Sequence, residues 1–211
     1  LYLSVIVVIG YLPYKTLARL RKGGLSKISP RLASILTAWF IILSVLLVWQ
    51  VPTLAYYTKP SSLIVFLITA GAWFFSPWYI RKIGMYPQKL IENKPTWFVV
   101  RFEPRLLYLK FFEVLFQQAK FLYFLTIVLA ALSLNEKILW FTLIIGFLHF
   151  GNFLFLPKRE AWTFTILSFP MAIVFGFLIE NGYIFITASI HLWFYLLFNG
   201  YPWIKQKYAK H

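Results

Sequence analysis

Apolar residues run along this chain in blocks of about 20, the length needed to cross roughly 30 Å of hydrocarbon. Residues 33–57, 61–80, 106–134, 137–156, 161–180 and 183–200 form six such blocks, and 1–14 forms a shorter one at the start. The connections at 135–137, 157–160 and 180–182 are tight, as expected for antiparallel neighbours in a helical bundle. Those at 13–31 and 81–105 are longer. The pattern predicts an all-α polytopic membrane bundle of about seven spans. Pro170 falls inside the sixth span and is expected to kink it. The opening "LYLSVIVVIGYL" has no basic stretch before it and no small-residue cleavage site after it. It reads as a shortened first span or the beginning of a fragment, not as a cleaved signal.

Charge orients the bundle. Lys15, Arg19, Arg21, Lys22, Lys27 and Arg31 fill the first long connection, which carries no acid. Arg81, Lys82, Lys89, Lys94, Arg101 and Arg105 fill the second, against Glu92 and Glu103. Loops rich and poor in basic residues alternate along the chain. Basic loops stay on the cytoplasmic side. That rule puts 13–31, 81–105, 157–160 and the basic tail 201–211 inside, and the N-terminus outside. Trp78, Tyr79, Trp97, Tyr201 and Trp203 flank spans where an aromatic belt is expected.

Composition agrees with the pattern. The chain is 61% hydrophobic and 13% charged, whereas a soluble domain carries about 25% charged residues. The net charge of +15 lies in loops between apolar blocks. It therefore points to anionic lipid headgroups and not to nucleic acid. There is no cysteine, hence no disulfide framework and no thiolate ligand or nucleophile. All six acids are glutamates, so the position of each is informative.

Polar residues within spans are costly and tend to mark function. The fourth span carries Lys110, Glu113, Gln117 and Lys120 on one helical face. The fifth carries His149 and Asn152, and the seventh carries His191, Tyr195 and Asn199. At the rise of an α-helix, Glu113 lies about 10 Å, and His149 and His191 about 12 Å, from the cytoplasmic ends of their spans. Three ionisable groups on three helices thus fall in one layer. A single buried histidine is most often a satisfied core side chain; three groups in one layer form a candidate site. Lys110 and Lys120 are expected to snorkel or to pair with Glu113. Tyr195 and Asn199 also fit interhelical hydrogen bonding. Glu136, Glu160 and Glu180 sit in turns and are expected to be solvated.

The order of these features resembles the CPBP family of intramembrane proteases, which includes the type II CAAX prenyl endopeptidases and Abi-like bacterial members. The family pattern is Glu-Glu-x-x-x-Arg on one span, Phe-x-x-x-His on the next and His-x-x-x-Asn on a later one. Here "FFEVLFQQA" is similar to the first motif, "IIGFLHFGN" to the second, and "FGFLIENGYIFITASIHLWFYLLFN" to the end of the domain. In one register Phe112 stands at the first Glu, Glu113 at the second and Gln117 at the Arg. A shift of one residue makes Glu113 the first Glu, with Val114 second and Gln118 at the Arg. Ile145 replaces the motif Phe and Tyr195 the motif Asn.

The resemblance covers about residues 105–200. The chain then divides into N-terminal spans and basic loops over 1–104, which the apolar and charge pattern gives, a four-span core over 105–200, which the resemblance implies, and a basic tail over 201–211. The resemblance also implies a peptidase acting on a membrane-associated protein. Glu113 would activate water, His149 and His191 would position water or hold the oxyanion, and Gln117, Asn152 and Tyr195 would support them. Glu113, His149 and His191 are also the residues that would ligate a divalent metal such as zinc, although the His-Glu-x-x-His spacing is absent. Two other readings stay open: a non-catalytic binding protein of the same fold, and a small transporter. The transporter reading lacks an inverted repeat.

Overall fold

The computed structural model describes residues 30–82, 104–154 and 158–208. The first span and most of both long basic connections lie outside them. The described residues are helical throughout their ordered elements. These are α1 (Pro30–Val48), α2 (Leu54–Tyr57), α3 (Pro60–Lys82), α4 (Pro104–Tyr123) with a π-helical turn Phe124–Val128, α5 (Leu134–His149) with a 3₁₀ turn Phe150–Leu154, α6 (Lys158–Glu180) and α7 (Ile184–Tyr208). An isolated antiparallel bridge, Thr58 to Tyr183, is the β-pairing seen among the described residues.

Among the described residues, three helical stretches are long and apolar enough to cross a membrane: Arg31–Val48, Leu107–Val128 and Ala161–Glu180. Pro60–Ser76 and Ile184–Leu197 are apolar but shorter. The block 33–57 is not one helix. It breaks after Val48, and Pro52 lies in the gap before α2, where a proline has no amide hydrogen to continue a helix. The block 106–134 ends early as well, because the π-turn closes at Val128. Pro170 lies within the continuous α6.

The chain forms two compact units: Leu1–Leu43, Leu67–Leu115 and Ser189–His211 make the first, and Ser44–Phe66 and Phe116–Ala188 the second. In the first unit the core is built on fully buried Trp73 and Phe40. Trp73 Nε1 donates to the Leu107 carbonyl at 3.1 Å. Trp193 Nε1 donates to Thr69 Oγ1 at 3.3 Å. Phe74 packs on Tyr108 and Phe111 with ring centroids 4.9 and 4.8 Å apart. Trp73 therefore buries its apolar body and still satisfies its N–H.

In the second unit α5 and α6 form an antiparallel pair. Two glycines let them approach: a Cβ at Gly176 would lie 2.6 Å from Ile138 Cδ1, and one at Gly146 would meet the Phe169 ring. Phe121 stands edge-on to Phe141, with centroids 5.4 Å apart. The residues 135–137, expected as a turn, are instead the first turn of α5. Ser133 caps it: its backbone N–H and hydroxyl both donate to Glu136 Oε2, at 3.0 and 2.6 Å. The hydroxyl bond first, and the backbone bond second, hold the Glu136 carboxyl below its usual range. A depressed carboxyl stabilises above its unfolded-state pKa and loses that contribution as pH falls through the folded-state value. The stability gap between wild type and Ser133→Ala, followed by thermal unfolding across pH, is therefore expected to be present at neutral pH and to close in acid.

The turn after α6 fixes the other end of this unit. Gly182 has φ +87°, where side chains other than hydrogen are strained. Lys59 N–H donates to Gly182 O at 3.2 Å, the Tyr56 hydroxyl donates to Glu180 O at 3.1 Å, and the Lys59 ammonium lies 4.4 Å from the Tyr183 ring centroid. Glu180, expected to be solvated, is instead paired with Lys137 at 3.4 Å, with its side chain 14% exposed. An added Cβ at Gly182 would lie 2.5 Å from the Tyr56 carbonyl oxygen, which is backbone and cannot swing away. Gly182→Ala is expected to lose at least about 1–3 kcal/mol, read as a lower Tm in detergent. Gly71→Ala is the control. Its Cβ meets nothing within 4 Å, so its Tm is expected to hold or to rise, since alanine favours a helix interior by about 1 kcal/mol.

Candidate functional site

Lys110 and Glu113 lie one turn apart on α4 and face the interior of the first unit. Their relative exposures are 5% and 4%. The Lys110 ammonium donates to Glu113 Oε2 at 2.9 Å. Two charges withdrawn from water this far are tolerated only as a hydrogen-bonded pair. Of the two roles expected for Lys110, pairing is the one observed.

The α7 segment of the same unit supplies the rest of the cluster. The Lys110 ammonium sits 4.2 Å from the centroid of the buried Tyr195 ring, within cation–π range. The half-buried His191 imidazole stacks on Tyr195, with centroids 5.3 Å apart and planes 16° from parallel. The sequence places His191 and Tyr195 at i and i+4, so the stack follows from helical geometry. Glu113, Lys110, Tyr195 and His191 thus form one polar cluster in an apolar surround, holding an acid, a cation, a phenol and an imidazole.

His149, Asn152 and Gln117 belong to the second unit. His149 closes α5, and its Nδ1 lies 2.8 Å from the Ile145 carbonyl oxygen. The buried Thr165 hydroxyl donates to the His149 carbonyl at 3.0 Å, satisfying one of the carbonyls that a helix end leaves unpaired. Asn152 follows in the 3₁₀ turn, and its Nδ2 is buried with no hydrogen-bond partner in the protein. Gln117 is half-buried on α4. Lys120 lies 4.7 Å from the Phe116 ring centroid. Among the described residues no three His or Glu side chains are grouped to hold a metal ion. The side chains of Asn199 and Glu160 lie outside the described residues.

Sequence reasoning underrated one pair in the second unit. Gln118 and Thr187 are 3% and 0% exposed. The Thr187 hydroxyl is 2.7 Å from Gln118 Oε1 and 2.6 Å from the Ile184 carbonyl oxygen. One hydroxyl proton serves one acceptor. Turning the amide so that its NH₂ donates to the hydroxyl satisfies all three groups. The available signal was the Gln-Gln dipeptide, of which only Gln117 shares the Glu113 face by spacing.

No protein-family profile, curated protein or solved structure matches the chain.

Proposed function

We propose that the chain is a membrane-embedded peptidase of the CPBP kind that hydrolyses a peptide bond of a membrane-associated protein. In this reading it is a bundle of about seven spans, with the N-terminus outside and the C-terminus in the cytoplasm. The observation that carries it is Glu113: a buried acid on a membrane-length apolar helix, clustered with Lys110, Tyr195 and His191. Hydrolysis within a membrane needs a base for water and donors for the oxyanion. Glu113 is the base. His191 and the Tyr195 hydroxyl are the donors. His149 enters through its motif spacing, and a divalent metal is not required by these roles. The test is turnover of a panel of transmembrane and prenylated peptides by the reconstituted chain, with Glu113→Gln beside wild type.

A second reading is favoured by the Lys110–Glu113 bond itself. A carboxylate already engaged at 2.9 Å suits a protein of this fold that binds a membrane peptide without cutting it. Binding of the same panel without product formation would select that reading.

A further inference from the structure

The connection between α1 and α3, which belongs to the second unit, has the chemistry of a membrane segment and not of an aqueous loop. The apolar stretch Arg31–Val48 has 18 residues. That is about 27 Å at the rise of an α-helix, so it ends near the boundary of a hydrocarbon layer about 30 Å thick. Trp49 comes next and is 87% exposed, and Tyr56 in α2 is 55% exposed. Tryptophan and tyrosine collect at the membrane–water boundary. The polar groups between them are bonded within the chain. The backbone N–H groups of Gln50, Val51, Thr58 and Lys59 donate to carbonyls. The exposed Gln50 side chain donates to Leu46 O at 2.9 Å, and the Thr58 hydroxyl to Leu54 O at 3.3 Å. A loop in water leaves such groups to solvent, whereas one at the edge of hydrocarbon must satisfy them itself. Residues 44–59 contain no acid. Glu180, whose carbonyl accepts from the Tyr56 hydroxyl, has its carboxylate paired with Lys137.

Where α1 breaks, Ser44, Val45, Val48, Trp49, Val51 and Leu54 line an open groove of about 400 Å³, within the size range of small-ligand sites. The break before Pro52 creates it, because a continuous helix would present a convex ridge there. We propose that this groove holds one acyl chain of a phospholipid from the leaflet that borders the C-terminal end of α1. The lining selects the occupant. Ser44 contributes its one polar side chain, so a polar ligand would give up hydrogen bonds to water on entering and regain few. An acyl chain gives up none. Its headgroup stays at the boundary with Trp49 and Tyr56, where Lys59 is the cation of the segment and no acid of the segment repels a phosphate. Occupancy rests on the membrane placement proposed above and not on peptidase activity.

The test uses the full chain in nanodiscs that mix ordinary phosphatidylcholine with phosphatidylcholine brominated on one acyl chain near its glycerol end. The signal is the emission of Trp49, taken as the difference between wild type and Trp49→Phe. Trp49 is exposed, so this exchange leaves the core untouched. Bromine quenches an indole at close contact. One chain in the groove is expected to quench Trp49 in direct proportion to the brominated fraction, while acrylamide in the water quenches it little. Val45→Phe enlarges an exposed side chain of the lining and is expected to lose most of the lipid quenching by filling the groove. Quenching by acrylamide in place of brominated lipid overturns the proposal and puts the segment in water. Quenching by neither overturns it and points to a protein cover, such as a second copy of the chain. A fall steeper than the brominated fraction also overturns it, since Trp49 then meets several interchangeable chains and not one. So does lipid quenching that Val45→Phe leaves unchanged. Turnover enters none of these readings, so a failed peptidase assay leaves the result standing.

Discussion

Lys110→Leu alone is expected to destabilise the protein by about 3–5 kcal/mol, the cost of leaving a buried charge without its partner. The Lys110 and Glu113 side chains are 6% and 5% exposed, so bulk solvent offers little to replace the ammonium. Glu113→Leu is expected to destabilise from the other side, leaving the ammonium its contact with the Tyr195 side chain but no counter-charge. The double variant Lys110→Leu/Glu113→Leu is expected to be more stable than either single variant. Replacing a whole buried pair with apolar side chains of similar volume is often neutral or better, by about 1–4 kcal/mol. The measurement is a double-mutant cycle on unfolding in detergent or bicelles. Additive losses would mean that each side chain is held by its surroundings, not by the other. Recovery in the double variant would also say that the pair is retained at a cost to stability, which is what a functional site predicts.

How much of this was legible in the sequence depends on the range of the interaction. Helix class and apolar helices of membrane length follow from composition and block length, which are local. The pairing of Lys110 with Glu113 and the stacking of His191 on Tyr195 were also within reach, because i,i+3 and i,i+4 neighbours on a helix meet without help from the rest of the fold. Where α1 ends was readable in principle from Pro52. Where α5 begins was misread because "NEK" looks like a polar turn. It is in fact the first turn behind a serine cap, whose Glu at the third position is the signal to watch. Glu180 was misjudged for a different reason. Its partner Lys137 is 43 residues away, and no local pattern encodes that contact. The same holds for Thr187 with Gln118, separated by 69. A layer of ionisable residues inferred from depth assigns height along the membrane normal but not which helix faces which, so depth alone does not build a site.

Glu113→Gln is expected to lower peptide turnover by about 10²–10⁴-fold, the contribution of a positioned general base. The substitution keeps the shape of the side chain and its capacity to accept from Lys110. It removes the negative charge and the basicity. A uniform binding role would appear as a raised KM with kcat intact, whereas loss of the base lowers kcat itself. Because glutamine leaves the Lys110 ammonium without its counter-charge, part of any loss in activity can come from loss of folded protein. Activity is therefore normalised to the folded fraction read from unfolding curves, and Lys110→Leu serves as the second control. That variant is disturbed in stability to a similar degree but retains the carboxylate. If Lys110→Leu keeps a larger share of turnover per folded molecule than Glu113→Gln, the carboxylate does chemistry and the lysine positions it. If the two fall together, the pair acts as a structural unit. If both keep wild-type turnover per folded molecule, Glu113 is not the base. The cluster would then be a buried ion pair that fixes α4 against the Tyr195 ring, and the binding reading takes precedence over hydrolysis.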